Sequence, residues 1–200
     1  MLDELLRRVQ SHSPRLFETD RAFPEAAVLV PITRSDEPEL ILTLRASGLS
    51  THGGEVAFPG GRRDPEDRDL IHTALREAEE EVGLPPGLVE VIGPLSTLVS
   101  RHGIKVTPYV GFVPDFVEYR ANDGEIAAVF SVPLTFFRDD PRETTHRIDY
   151  FGRSWYVPSY RFGEYKIWGL TAIMVVELTN LVFDAGIDLH EAPASYLKLS

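Results

Sequence analysis

Two hundred residues with 43% apolar content suffice for one core of ordinary size, and no linker-like stretch or internal repeat divides them. A formal charge of −11 without a basic patch argues against a duplex nucleic-acid binder, although a bound divalent cation could still admit a small phosphorylated substrate. The absence of cysteine excludes disulfides and thiol chemistry, and no secretory pattern or apolar run of ~20 residues is present, so a cytoplasmic protein without a membrane partner is expected.

Leu2, Leu5, Leu6 and Val9 are spaced for a short amphipathic helix, followed by a polar connector over residues 11–24. Residues 1–25 are therefore predicted to pack on a domain spanning 26–190, with 191–200 as a tail. Residues 26–32 read as a buried strand, Ser35-Asp36-Glu37-Pro38 as a turn, and 39–45 as the returning strand of a hairpin. A short strand is expected at 55–58. Residues 89–99 and 104–113 read as two long strands, with Pro108 suggesting an edge or a bulge. Residues 115–124 are irregular, and 125–134 fit a short helix or a strand and turn. Alternating aromatics at 146–151 and 154–160 predict a second hairpin. A helix follows at 170–183, with Leu170, Ile173, Met174, Glu177 and Leu181 at helical intervals. Strands mixed with two substantial helices indicate an α/β class.

The most informative stretch is 60–84. Ile71, Ala74, Leu75, Ala78 and Val82 form one apolar helical face, and Gly83 before Leu84-Pro85-Pro86 ends it. Glu77, Glu80 and Glu81 fall in one sector of about 100°, away from that stripe, while Glu79 points elsewhere. A solvated acidic face is the plainest explanation of such a run. Crowded carboxylates are also relieved by hard cations such as Mg²⁺ or Mn²⁺, and Glu77 and Glu81, one turn apart, are the strongest candidate ligands. Gly60 and Gly61 allow a tight turn without a Cβ.

Gly-Gly, an acidic loop, then Arg76-Glu77-Ala78-x-Glu80-Glu81-x-Gly83-Leu84 resembles the Nudix box. The interval from Gly61 to Arg76 is one residue longer than its commonest form, and the usual loop Glu is replaced around Asp67-Arg68. Residues 42–49 and 52–61, from Leu42-Thr43-Leu44-Arg45 to Phe58-Pro59-Gly60-Gly61, resemble the extra motif of the coenzyme A pyrophosphatase branch, in which the longer loop is usual. Tyr165-Lys166-Ile167-Trp168-Gly169-Leu170-Thr171-Ala172 is similar to another segment of that branch, with Trp168 expected as a core anchor rather than an adenine platform.

The resemblance implies an α/β/α sandwich with a mixed central sheet. It also implies Mg²⁺- or Mn²⁺-dependent hydrolysis of coenzyme A or its derivatives to 3′,5′-ADP and 4′-phosphopantetheine (or its acyl form). Glu77, Glu80 and Glu81 would be metal ligands, joined by the main-chain carbonyl near Gly61. Members of the superfamily often take a general base from a later loop. Here Glu125, before an apolar segment, fits that place as base or further ligand, against an ordinary surface Glu, and Glu118 is a weaker candidate. Glu80 could equally be an ion-pair partner of Arg76. Arg45, His52 and Arg62 could bind substrate phosphates, including the 3′-phosphate of coenzyme A. The same machinery would suit ADP-ribose or a dinucleotide, and a silent nucleotide-sensing domain is the alternative from another class. A homodimer is left open.

Overall fold

The computed structural model describes residues 1–16, 22–48, 53–150 and 152–197. The chain begins with α1 (Leu2–Ser11), whose Leu5 and Val9 are buried in the core. β1 (Glu25–Thr33) and β2 (Glu39–Arg45) form the expected hairpin, but they pair only at Ile32–Leu40 before splaying apart. The fork is filled by β3 (Val56–Ala57), which pairs with β2, and β4 (Gly60–Arg62), which pairs with the first half of β1. α2 (Leu70–Val82) then packs on β1 and β4. Asp69 caps its start by accepting from the His72 N–H, and Gly83 ends it in the left-handed region (φ 67°).

After one 3₁₀ turn (Pro86–Leu88) come β5 (Glu90–Pro94), β6 (Leu98–Val99) and β7 (Lys105–Val113). The expected single strand over 89–99 is thus broken. Glu177 accepts from both the Ser96 N–H and hydroxyl, drawing the chain out of the ladder between Pro94 and Leu98. Pro108 is not at an edge either: β7 runs parallel to β1 on one side and antiparallel to β5 and β6 on the other. The Pro108 carbonyl accepts from Leu95 N–H. Since N–H and C=O of one strand residue point the same way, its missing donor falls in the β5–β6 gap.

β8 (Ile126–Pro133) adds to the other side of β2, deciding the 125–134 ambiguity in favour of a strand, and a 3₁₀ turn (Leu134–Phe137) follows. β9 (Arg142–Tyr150), β10 (Arg153–Phe162) and β11 (Tyr165–Ile167) make a separate antiparallel sheet before α3 (Gly169–Phe183) and the short α4 (Ala194–Leu197). Alternation along β1 sets the layers. Ala27 and Leu29 join Ala74, Ala78 and Val82 of α2, whereas Ala26, Val30 and Ile32 face the core shared with α1 and α3. The result is the expected sandwich of helices around a mixed sheet.

Trp168 is only half-buried, with Lys166 Nζ 5.9 Å from its ring centre. The fully buried anchors nearby are Phe137, Tyr160 and Ile167, so Trp168 is not the core anchor expected. Among the described residues no helix is long and apolar enough to cross a membrane.

Candidate active site

The splayed β1–β2 fork places Gly60 and Gly61 directly beneath the polar face of α2. A Cβ on Gly60 would run into the Ala27 carbonyl, and one on Gly61 would occupy the space of the Glu77 carboxylate. Close approach therefore requires glycine at both positions. Glu77 is held there with its Oε1 3.0 Å from Arg76 Nη2, and burial raises its pKa against the Arg76 charge, with Glu80 and Glu125 adding repulsion.

Glu81 departs from the expectation that all three glutamates face away from the buried surface: it is only 2% exposed. The reason is that β4 covers α2 on this side, widening its buried surface to include Thr73, Ala74, Ala78 and Glu81 together. Glu81 Oε2 accepts from Gly60 N–H at 3.0 Å, and Oε1 accepts from Arg45 Nη1 at 2.9 Å. Burial outweighs both donors and pushes its pKa up to about 7. Glu80 lies outermost, with both oxygens 3.2 Å from Arg76 Nη1. That i,i+4 pair is exposed and contributes little to stability.

The loop between β4 and α2 is held by a residue for which the sequence suggested no role. Asp67 is 3% exposed and accepts from the Asp64 N–H, the Thr73 hydroxyl, and Arg76 Nε and Nη2. Arg76, above all, holds its carboxyl far below the usual range. Arg76 also donates to the Arg62 carbonyl, so one guanidinium ties the loop, β4 and the glutamates together. The spacing of Asp67, Thr73 and Arg76 around the start of the helix was the available signal.

Of the candidate cations, Arg45 enters the site and Arg62 contributes its carbonyl while remaining exposed; His52 lies outside the described residues. Glu125 is exposed at the start of β8, yet near enough to repel the Glu77 charge. Its carbonyl accepts from Ala46 N–H, which fixes this loop beside Arg45. The loop also serves α2: the N–H groups of Arg120 and Asn122 cap the carbonyls of Val82 and Glu81. Glu118 is exposed in the same loop.

Among the described residues no three His, Asp or Glu side chains converge on one point as ligands of a single ion. Arg45 and Arg76 instead take up oxygens of Glu81, Glu77 and Glu80. The donor chemistry nevertheless suits a hard divalent cation. It consists of carboxylate oxygens one turn apart on one helix, both raised in pKa by burial, over a glycine turn whose missing Cβ lets the Glu77 carboxylate lie against the backbone.

The NUDIX domain family matches residues 23–147. A relative from Yersinia enterocolitica, named as an uncharacterized Nudix hydrolase NudL, is 41% identical over 189 residues, covering 90% of this chain and 93% of the relative. A relative of the same name from Escherichia coli O157:H7 is 42% identical over 185 residues, covering 88% and 92%. In fold, the chain is similar to a MutT/nudix family protein from Enterococcus faecalis, with a TM-score of 0.56 at 15% identity over 92% of this chain and 70% of that one. With its glycine turn, glutamate helix and relatives in agreement, the chain belongs to the Nudix hydrolase family.

Proposed function

We propose that this enzyme hydrolyses the pyrophosphate bond of coenzyme A or its acyl or oxidised derivatives, using Mg²⁺ or Mn²⁺. Water adds across one phosphoric anhydride to release 3′,5′-ADP and 4′-phosphopantetheine (or its acyl form). The observation that carries the hydrolytic part of this reading is the Glu77 carboxylate seated against Gly61, with Glu81 buried one turn away. The coenzyme A part is supported by the motif at 42–61.

Divalent ions are general in Nudix hydrolases; bound here, they would neutralise phosphate oxygens and lower the pKa of attacking water. Glu77, Glu81 and the Gly61 carbonyl would hold them, with Glu80 joining by exchanging Arg76 for metal. Asp67 and Arg76 keep β4 and α2 in register so that these oxygens stay fixed. Glu125, whose charge is felt at Glu77, would accept the proton of the attacking water or serve as a further metal ligand. Arg45 and Arg62 supply positive charge toward the substrate phosphates.

Side-by-side turnover of coenzyme A, ADP-ribose and NADH with Mg²⁺ tests the assignment. Coenzyme A should be the preferred substrate, and its being the poorest would overturn the specificity. Tight nucleotide binding without hydrolysis under either metal would instead establish a sensing domain.

A further inference from the structure

Arg45 occupies an unusual position for a residue whose role would be to meet a substrate. It is the last residue of β2, and the ladder with β8 slips there: Leu44 faces Ala128, but Arg45 faces Ile126. An extra residue in one strand re-aims the neighbouring side chain. The backbone is pinned at this point, because Arg45 N–H donates to the Glu55 carbonyl and its own carbonyl accepts from Gly54 N–H. The guanidinium is directed at Glu81, with Nη1 2.9 Å from Oε1, and is 22% exposed. Its Nε is buried and finds no hydrogen-bond partner among the described residues. Glu81 has its other oxygen on Gly60 N–H, so no lone carboxylate oxygen faces the site.

We propose that Arg45 is the resident counter-cation of Glu81, which a divalent ion must displace, and that this displacement frees the guanidinium to hold the anionic substrate. The inference rests on the metal-dependent reading above and adds a coupling to it. A buried carboxylate left alone would be costly, so a resident partner keeps α2 folded before metal arrives. An ion that claims Oε1 removes that partner's reason to stay. The released guanidinium, carrying an unsatisfied Nε, then gains most from a phosphate, to which arginine can donate twice. Metal and anion would each raise the affinity for the other through a single side chain, as linkage requires. Arg45 thus acts on the metal through Glu81 as a positioning residue, and on the substrate directly.

The test begins with Mn²⁺ alone, titrated into metal-free protein and counted by electron paramagnetic resonance. Arg45→Gln should bind Mn²⁺ about fivefold more tightly or better, in the range of ordinary site–site coupling, with Arg45→Lys between it and the wild type. A purely structural Arg45 would have the opposite sign, since losing it would misplace Glu81 and weaken binding. Equal or weaker Mn²⁺ binding by Arg45→Gln therefore overturns the proposal. Loss of binding in Glu81→Gln alongside an unchanged Arg45→Gln would leave the metal reading standing and remove only the coupling. No Mn²⁺ binding by the wild type would remove both. A second arm needs no metal: in chelator, calorimetry with coenzyme A should show tighter binding by Glu81→Gln than by wild type, because Arg45 is released. That gain should vanish in the Glu81→Gln/Arg45→Gln double variant. Its persistence there would show that removing a negative charge suffices, and would also overturn the proposal. This arm stands even if Arg45→Gln alone fails to fold.

Discussion

Asp67, in the loop before α2, and Glu81, in the last turn of α2, are the two buried carboxylates among the described residues, yet their surroundings treat them in opposite ways. Asp67 receives four donors, two of them from Arg76, and its acidity is strengthened far beyond the usual carboxylate range. Glu81 receives two donors, and burial still wins, lifting its pKa to about 7. A carboxylate whose lone pairs are filled by the protein is part of the frame. One that is buried and left short of donors is held ready for an outside cation. The start of the helix is therefore anchored by a satisfied carboxylate, and its last turn carries one left short of donors.

The sharpest way to break this contrast is to remove each charge in turn. Glu81→Gln keeps the shape of the side chain and should lower the hydrolysis rate by about a thousandfold, equivalent to several kcal/mol of transition-state stabilisation. Its thermal midpoint should hold or rise, because a neutral amide suffers less from burial than a carboxylate. A midpoint that falls as far as the rate would place Glu81 in the frame with Asp67. Asp67→Ala should do the reverse. It strands Arg76 and Thr73, costing about 3–5 kcal/mol in urea denaturation, while residual activity tracks the folded fraction more closely than in Glu81→Gln.

Gly61→Ala probes the join between the two regions. The added methyl meets only the end of the Glu77 side chain, which can swing aside, so stability should change little. The displaced carboxylate, however, no longer lies over the turn, and the rate should fall about tenfold or more, since positioning errors near an ångström are costly. Stopped-flow rates and a melting curve on the same preparation would separate the two effects. Equal rates for Gly61→Ala and wild type would mean that the Glu77–Gly61 contact is incidental.

Which parts of this were legible beforehand follows from what each feature depends on. α2, its glycine stop and the β1–β2 hairpin were readable because local spacing and turn chemistry determine them. Glu77 and Glu80 were correctly placed on a polar face for the same reason. The burial of Glu81 was not readable, because it depends on β4 lying across the helix, a contact between segments separated by a loop. The break between β5 and β6 likewise needed Glu177, eighty-one residues away in the chain from Ser96. Pro108 misled for a related reason: proline excludes one ladder bond, and a central strand tolerates that wherever its neighbour is interrupted. Asp67 was visible as a residue but not as a hub, since its donors come partly from its own loop and partly from two turns of α2.

The smallest expected effect is the one that compares the two carboxylates without altering Asp67. Glu81 has a folded-state pKa raised above its ordinary 4.5 to about 7, so the stability it lends is fully present below pH 4.5 and is lost as pH rises through 7. Asp67 is shifted the other way. Its contribution is present above the ordinary 3.8 and disappears only on strong acidification, as pH falls toward its depressed folded value. Between pH 5 and pH 8 the two do not overlap, and of the two only Glu81 should act there, in the same direction as Glu77, whose pKa burial also raises. Metal-free protein should therefore melt a few degrees higher near pH 5.5 than near pH 8, and Glu81→Gln should flatten that slope by removing the titrating group. Differential scanning calorimetry of both proteins in chelator reads the difference directly. An identical slope in the two would mean that Arg45 keeps Glu81 fully ionised throughout, and that the ion pair, rather than burial, governs the last turn of the helix.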